Sequence, residues 1–421
     1  MGLFSTVKIG FTLRYTLVWP QLQTKVDFML GTRDLEHTVA VLFGGRSSEH
    51  EISLRSAIFV LKNMPEKYRI IPVGISRGGE FLSVEGTFTA SDFNHCEPAD
   101  LAVICEGRMP RSLAHGSIVP SLFLPFRADA ISHLPESPVR ILNLEASVVF
   151  PVLHGPNGED GRWQGVFELA EMAYVGCDIR ASVIGIDKNI QKIMARDAGV
   201  PVAKYEMIEL EDWFENRDAI VARIEKNIGY PNFVKPNALG SAVGVNRATN
   251  TAELVAALQS ALKFDDKALV EEPMVGTEVE CAFLGSGVNP RITVAGEIAT
   301  KDFYSYEAKY LTDDGAAQFI PARLDAGRMQ ELRAMAAKLA KVFSLSGLCR
   351  LDFWNCSQPN RFVFNEINTL PGLTSISMFP KLWEHEGVSG KAWIGELIMR
   401  AQTRRDLAIE RIFGIKDEPN D

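Results

Sequence analysis

The segment CRLDFWNCSQPNRFVFNEINTLPG constrains the fold more than any other part of this chain. Its two apolar runs alternate with polar residues at a period of two, which is typical of β-strands, and SQPN between them predicts a short turn. Side chains two positions apart share a strand face, so Arg350 and Asp352 project the same way, as do Glu366 and Asn368. The segment therefore predicts a hairpin with one polar and one apolar face.

The polar face of this hairpin predicts a metal site. Burying carboxylates on a sheet is costly unless a partner compensates, and the oxygen ligands of Asp352, Glu366 and Asn368 suit a hard cation such as Mg²⁺. An alternative interpretation is an Arg350–carboxylate salt bridge on a solvated face, which these residues by themselves leave open.

A second pattern, NFVKPNALGSAVGVN, predicts phosphate binding. Here a strand ending at Lys235 runs into a loop of small residues with Gly240 and Ser241, whose backbone N–H groups can face phosphate oxygens. The chain has no GxxxxGK[ST] motif, which excludes a Walker P-loop. An ordinary hairpin is the alternative for this loop.

Two flanking segments support a nucleotide site. Lys188 lies upstream in GIDKNIQK, and LVEEPMVGTEVECAFL follows the loop with Glu271 and Glu278. Paired acids after a strand suit hydrogen bonds to an adenine amino group and a ribose hydroxyl. Alone, the second segment could equally be an edge strand guarded by charges.

Near the start of the fold, VAVLFGGRSSEHEIS predicts a strand, a glycine turn and a helix. Ser48 and Glu51 have the spacing of a capping box, and Glu49 lies in the first helical turn at the carboxyl end of a parallel strand. Glu49 can hold a substrate ammonium there, or simply complement the helix dipole. A dinucleotide site is disfavoured because GxGxxG spacing is missing.

The amino-acid composition argues against a nucleic-acid-binding protein, a disordered chain and a membrane-spanning protein. The net charge of −9 provides no basic field for nucleic acid, and 46% hydrophobic residues indicate a folded globular chain. No apolar run is long enough to span a membrane. The six cysteines form no CxxC pair, which favours reduced thiols in a cytoplasm.

The order of strand and helix patterns predicts an α/β chain with three domains. We expect an N-terminal parallel-sheet domain over 37–177 with an irregular insertion at 82–140, a central domain over 178–270 and a C-terminal domain over 271–412. Residues 1–36 form an extension of unknown role, for which a targeting segment is a weaker alternative to a poorly determined translation start or a strand-like extension lying on the first domain.

Taken together, these motifs closely resemble those of the D-alanine:D-alanine ligases, a branch of the ATP-grasp enzymes. The resemblance covers about residues 37–410 and includes LHGPNGEDGRWQG, FYSYEAKYL and NEINTLPGLTSIS. It implies a three-domain ATP-grasp fold, ATP-dependent joining of two D-alanines through an acyl phosphate for peptidoglycan precursors, and a homodimer.

The resemblance also implies a role for each site residue. Glu49 and His154 would bind the first D-alanine, Arg350 its carboxylate, and Ser377 and Met378 the carboxylate of the second. The ATP contacts would be Lys188, Lys235, Gly240, Ser241, Glu271, Glu278 and Lys309. Ser241, Glu49 and Tyr310 would form a hydrogen-bonded network, and two Mg²⁺ ions, with Mn²⁺ able to substitute, would bind Asp352, Glu366 and Asn368.

The identity of the second substrate, the acceptor that attacks the activated D-alanine, is the part of the expected function that the sequence constrains least. The insertion at 82–140 resembles that of a longer ligase subgroup that includes enzymes joining D-alanine to D-lactate, whereas Tyr310 favours an amino-acid acceptor. A ligase for D-lactate, D-serine or another amino acid is therefore the main alternative. A non-catalytic nucleotide-binding relative is disfavoured because no expected metal ligand or phosphate lysine is missing.

Overall fold

The computed structural model describes residues 37–86, 88–113, 116–122, 140–141, 146–240, 243–299 and 317–413. In these ranges the strands are β1 (His37–Gly44), β2 (Tyr68–Ile75), β3 (Phe81–Glu85), β4 (Ser117–Leu122), β5 (Arg140–Ile141), β6 (Val148–Val152), β7 (Ala173–Tyr174), β8 (Tyr205–Glu209), β9 (Asn232–Pro236), β10 (Asn246–Ala248), β11 (Lys267–Glu271), β12 (Gly276–Ser286), β13 (Asn289–Ala299), β14 (Ala317–Phe319), β15 (Ser346–Ser357) and β16 (Asn360–Asn368). The α-helices are α1 (His50–Lys62), α2 (Pro98–Cys105), α3 (Arg162–Leu169), α4 (Ile179–Ile186), α5 (Lys188–Asp197), α6 (Leu210–Asn227), α7 (Thr251–Ala261), α8 (Ala326–Val342), α9 (Met378–His385) and α10 (Gly390–Phe413).

Four of the sequence predictions concern residues outside the ranges given above. The extension over 1–36, Ser241, Lys309 and Tyr310 lie outside the described residues. What we expect of them stays a prediction.

The first sheet has seven strands in the order β5-β4-β3-β2-β1-β6-β7. β1 pairs in parallel with β2 and β6, and its residues 39–43 are fully buried, as an apolar strand covered on both faces requires. After β1 the chain turns at Gly44, whose φ is +88° and where a Cβ would lie 2.4 Å from the Ile75 carbonyl oxygen. This turn places the start of α1 at the carboxyl edge of the sheet.

The expectation of a capping box at Ser48 and Glu51 is wrong. Helix α1 begins at His50, with Glu49 at the N-cap position and without a side-chain cap. The hydroxyl of Ser47, rather than Ser48, accepts a hydrogen bond from the Glu49 backbone N–H at 3.0 Å and donates to the His154 carbonyl at 2.9 Å. The Glu51 carboxylate instead accepts a hydrogen bond from Arg77 at 2.7 Å.

The expectation of irregular structure at 82–140 is also wrong in its described part. β3 pairs antiparallel with β2 and with β4, so this region extends the first sheet. Helix α2 begins with Pro98 in its first turn. Glu97 precedes it as the N-cap residue and forms a capping box with Asp100, whose carboxylate accepts the Glu97 N–H at 2.9 Å. Frequent prolines masked these elements in the sequence, although proline is compatible with an N-terminal helical turn.

Two further sheets follow along the chain. One has four strands in the order β10-β9-β11-β8, and the other has five in the order β14-β13-β12-β15-β16. β15 and β16 form the expected antiparallel hairpin, with Asp352 opposite Glu366 and Arg350 opposite Asn368. The predicted α/β class is thus confirmed, and the shared polar face of the hairpin is present. None of the helices in the described ranges is both long enough and apolar enough to cross a bilayer.

Candidate active site

A small cavity of about 30 Å³ lies where the first and last sheets meet the glycine loop after β9. Its lining includes many of the residues that the sequence singled out, namely Glu49, His154, Lys188, Gly240, Arg350, Glu366 and Asn368. These side chains come from segments more than 300 positions apart. The structure therefore brings the separately predicted motifs into one site.

Arg350 and Asp352 form a bidentate ion pair at the centre of the hairpin's polar face. Arg350 Nε and Nη2 each lie 2.7 Å from an Asp352 oxygen, and Asn368 Nδ2 donates to Asp352 Oδ2 at 2.9 Å. Asp352 is fully buried, and this burial raises its pKa, while Arg350 opposes the shift. The salt-bridge alternative is therefore right about the contact, but wrong about a solvated face.

The same face carries more carboxylates than the sequence analysis identified. Oxygens of Glu278, Glu280 and Asp352 lie within 4.8 Å of one another, and Arg350 Nε lies 3.2 Å from Glu280 Oε2. Glu280 is a residue that we missed, although its spacing of two from Glu278 on β12 already placed both on one face. This set of buried oxygen ligands fits a divalent cation, which would relieve the repulsion between the acids.

Lys188 connects this acidic face to the glycine loop. Its Nζ donates to the Leu239 carbonyl at 2.6 Å and lies 3.3 Å from Glu366 Oε2. On the same helix, α5, the Gln191 side chain accepts a hydrogen bond from the Ile367 N–H at 2.9 Å. Helix α5 is thereby fixed against β16, so that its first lysine faces both a carboxylate expected to bind metal and the loop expected to hold phosphate.

Glu271 sits between two lysines. Lys235 Nζ lies 2.6 Å from one of its oxygens and Lys192 Nζ 2.8 Å from the other. Burial opposes the charge of Glu271, but the two lysines outweigh it and lower the pKa to about 2. Sequence analysis missed Lys192, whose spacing of four from Lys188 places both on one face of α5.

Glu49 is buried and two glycines approach it closely. A Cβ added to Gly155 or to Gly240 would lie 3.0 Å from Glu49 Oε1. Gly240 belongs to the loop that we predicted for phosphate, so that loop passes directly over the carboxylate expected to hold the substrate ammonium. A side chain at either glycine would fill the space beside the Glu49 carboxylate.

His154 is buried beside this carboxylate, and both of its ring nitrogens are bonded within the protein. Nδ1 lies 3.0 Å from the Leu370 carbonyl oxygen, and Nε2 lies 2.8 Å from Ser56 Oγ. Burial lowers the pKa of His154 to about 4, so the ring is neutral at physiological pH. His154 thus lines the cavity with its ring, while both ring nitrogens form hydrogen bonds within the protein.

Glu159 is a second acid next to Glu49 that sequence analysis did not identify, and 13% of its side chain is exposed. Its oxygens accept hydrogen bonds from the Gly155 N–H at 2.9 Å and the Leu370 N–H at 3.4 Å. Burial first, and then the charge of Glu49, raise its pKa to about 8. Glu159 therefore takes up a proton on folding at neutral pH.

This proton uptake predicts an unusual pH dependence of stability. Between the unfolded pKa near 4.5 and the folded value near 8, the native state binds more protons, so stability falls as pH rises. We expect Glu159→Gln to remove this dependence. The slope of the free energy of unfolding against pH should then differ between the two proteins by at most about 1.4 kcal/mol per pH unit. Thermal unfolding midpoints of both proteins from pH 6.5 to 8 test it, with exposed Glu384→Gln as the control; equal slopes for wild type and Glu159→Gln would contradict the assignment.

A larger cavity of about 820 Å³ adjoins the small one. Its lining includes Ser377 and Met378, where helix α9 begins, together with Glu280 and Arg350. Ser377 Oγ accepts a hydrogen bond from the Thr374 N–H at 3.2 Å and lies 2.7 Å from Thr374 Oγ1. Arg350 lines both cavities, so one side chain is shared by the Glu49 side of the site and the Ser377 side.

Comparison with known proteins adds family matches over most of the chain. Residues 38–177 match the family described as D-ala D-ala ligase N-terminus, and residues 194–399 match D-ala D-ala ligase C-terminus. A D-alanine–D-alanine ligase of Caldicellulosiruptor bescii is 38% identical over 86% of this chain and 94% of its own length. One from Acetivibrio thermocellus is 39% identical over 89% and 96%.

Solved structures agree with these sequence matches. The VanG D-Ala:D-Ser ligase from Enterococcus faecalis superposes with a TM-score of 0.72 at 33% identity, covering 87% of this chain and 99% of that one. The D-alanine-D-alanine ligase from Coxiella burnetii gives 0.73 at 28% identity, covering 90% and 99%.

Proposed function

The chain belongs to the D-alanine–D-alanine ligase family, and we propose that it joins two D-alanines to D-alanyl-D-alanine at the expense of ATP, as a step in peptidoglycan precursor synthesis. The observation that carries this proposal is that Arg350 lines two adjoining cavities. One cavity holds a buried carboxylate for an ammonium group, and the other ends at Ser377. A ligase needs such a division, because its two substrates must meet at one carboxylate.

On the donor side, the Glu49 carboxylate pairs with the ammonium group of the first D-alanine, while Arg350 receives its carboxylate. Lys188 and Lys235 supply positive charge for ATP phosphates, assisted by Lys309, and the Glu271 and Glu278 segments hold the nucleoside. Transfer of the γ-phosphoryl group of ATP to the carboxylate would give an acyl phosphate and release ADP, and attack of an amine on its carbonyl would then expel inorganic phosphate. Mg²⁺ held by Asp352, Glu366 and Asn368 would neutralise phosphoryl charge. Two ions are part of the proposal by resemblance to the family, and Mn²⁺ has the same oxygen preference.

On the acceptor side, Ser377 and the start of helix α9 at Met378 receive the carboxylate of the second D-alanine. Its amine, once deprotonated, attacks the activated carbonyl, and the Arg350 guanidinium lies beside the oxygen that becomes negative. Ser241 and Tyr310 complete this arrangement in the proposal by bonding to Glu49 and closing the site against water.

A competition experiment tests the identity of the acceptor. With equal D-alanine and D-lactate we expect D-Ala-D-Ala as the main product at pH 8, with dipeptide synthesis increasing from about pH 6 because the attacking amine must be unprotonated. Tyr310→Phe should permit some ester formation. Mass spectrometry of the products decides the matter, and a depsipeptide as the dominant wild-type product would contradict this acceptor.

The main alternative is a ligase of the same family with another acceptor. The similarity to a D-Ala:D-Ser ligase is the observation that supports this alternative. The same competition experiment, with D-serine in place of D-lactate, tests it. A cytoplasmic location is supported by six buried cysteines, all of them free thiols. A homodimer follows from the family resemblance.

A further inference from the structure

The turn Leu370–Leu373 connects the two ends of the proposed site. It begins two residues after Asn368, at the end of β16, and leads to Ser377 at the start of α9. Metal ligation and acceptor binding are therefore joined through only a few residues of irregular chain. What fixes this turn sets the relative position of the two functions.

The turn is held from the first sheet by Ser56 on helix α1 and by His154. Ser56 Oγ accepts the Leu373 N–H at 3.2 Å and lies 2.8 Å from His154 Nε2, while His154 Nδ1 lies 3.0 Å from the Leu370 carbonyl. Ser56 is fully buried and His154 is 3% exposed. Two side chains thus contact both ends of the turn without water between them.

The chemistry of these groups determines which atom donates and which accepts in each of these hydrogen bonds. A carbonyl oxygen only accepts, so His154 Nδ1 carries the proton and donates it to Leu370. The neutral ring then accepts at Nε2, which requires the Ser56 O–H to donate there. The Ser56 oxygen accepts the Leu373 N–H with one of its lone pairs, so the donors run in one direction, from the Leu373 N–H through Ser56 and His154 to the Leu370 carbonyl.

The neighbouring acid Glu159 leaves this arrangement undisturbed. Glu159 Oε1 lies 4.0 Å from His154 Nδ1, beyond hydrogen-bond distance, and accepts the Gly155 N–H instead. The other Glu159 oxygen receives the Leu370 N–H, which adds a third contact to the same turn.

We propose that Ser56 and His154 are positioning residues that fix the Leu370–Leu373 turn, and through it the distance from the metal ligands to the acceptor carboxylate site. The inference rests on the proposed ligase function. Neither hydroxyl nor ring touches the reacting atoms; each acts through the turn. Because small displacements of a substrate reduce reaction rates strongly, releasing the turn weakens productive acceptor binding more than it weakens ATP binding.

The kinetic test compares two buried serines on the same helix. Ser56→Ala leaves the Leu373 N–H and His154 Nε2 without partners, and we expect the KM of the acceptor D-alanine to rise by about 10-fold with little change in the KM of ATP. Ser53→Ala is the matched control, because its fully buried hydroxyl bonds the Gly44 N–H at 2.8 Å and the Val152 carbonyl, and not the turn. Initial rates against D-alanine, analysed with separate constants for the two sites, provide the comparison.

A spectroscopic test needs no turnover. In ¹⁵N-histidine NMR of the ligand-free protein, with His154→Gln for assignment, we expect the His154 proton on Nδ1 at pH 7, and a changed Nε2 shift in Ser56→Ala but not in Ser53→Ala. A proton on Nε2 overturns the proposal, as does an equal rise of the acceptor KM in both alanine variants. If wild type made no D-Ala-D-Ala while the NMR result held, the proposed function would fail separately from the hydrogen-bond arrangement.

Discussion

Replacement of Glu366 by glutamine is expected to reduce ligation to less than about 1% of wild-type turnover while the fold stays intact. Glu366 lies opposite Asp352 on the hairpin and 3.3 Å from Lys188, so in the proposed mechanism its charge acts on both the metal ion and the lysine expected to bind phosphate. The amide has nearly the same size, but it is a weaker ligand for a hard cation and leaves Lys188 without its nearest anion. Turnover at millimolar Mg²⁺ is the measurement.

The control for this variant is Glu384→Gln, which removes one exposed carboxylate from helix α9. It should retain wild-type activity and the same thermal midpoint. Titration with Mn²⁺, followed by electron paramagnetic resonance, separates metal binding from catalysis: Glu366→Gln should bind the ion more weakly, and the control should not. Normal turnover of Glu366→Gln would remove Glu366 from the metal site.

Local pattern was sufficient to predict the hairpin and its polar face. A period of two assigns each side chain to one side of a strand, and a proline-containing turn fixes where the strands reverse. For this reason Arg350, Asp352, Glu366 and Asn368 were placed together correctly. The same rule, applied to β12, would also have identified Glu280, and the helical spacing of four would have identified Lys192.

Contacts between distant segments could not be predicted in this way. Ser56 and His154 are 98 residues apart, and His154 and Leu370 are 216 apart. No periodicity relates such positions, because their proximity depends on how the first sheet packs against the last. The raised pKa of Glu159 has the same origin, since it depends on burial and on the nearby Glu49 rather than on the residue's own sequence context.

In the proposed mechanism, Arg350 contacts the carboxylate at which the two substrates are joined. It lines both cavities, makes two 2.7 Å hydrogen bonds to Asp352 and lies 3.2 Å from Glu280. Two acids hold the planar guanidinium in one orientation beside both cavities. A lysine ammonium in its place keeps the charge, but cannot maintain both hydrogen bonds to Asp352 and a contact with substrate.

Arg350→Lys should therefore lower kcat by about 10²-fold or more, which corresponds to about 2.7 kcal/mol of lost transition-state stabilisation. The effect should fall on kcat rather than on the KM of ATP, because the negative charge on the attacked oxygen develops only during the reaction. Arg400→Lys is the matched control, since Arg400 pairs with Glu396 at 2.9 Å on helix α10, away from both cavities. Steady-state kinetics of both variants decide the point: a change confined to the KM of ATP would place Arg350 at the nucleotide instead of at the carboxylate under attack.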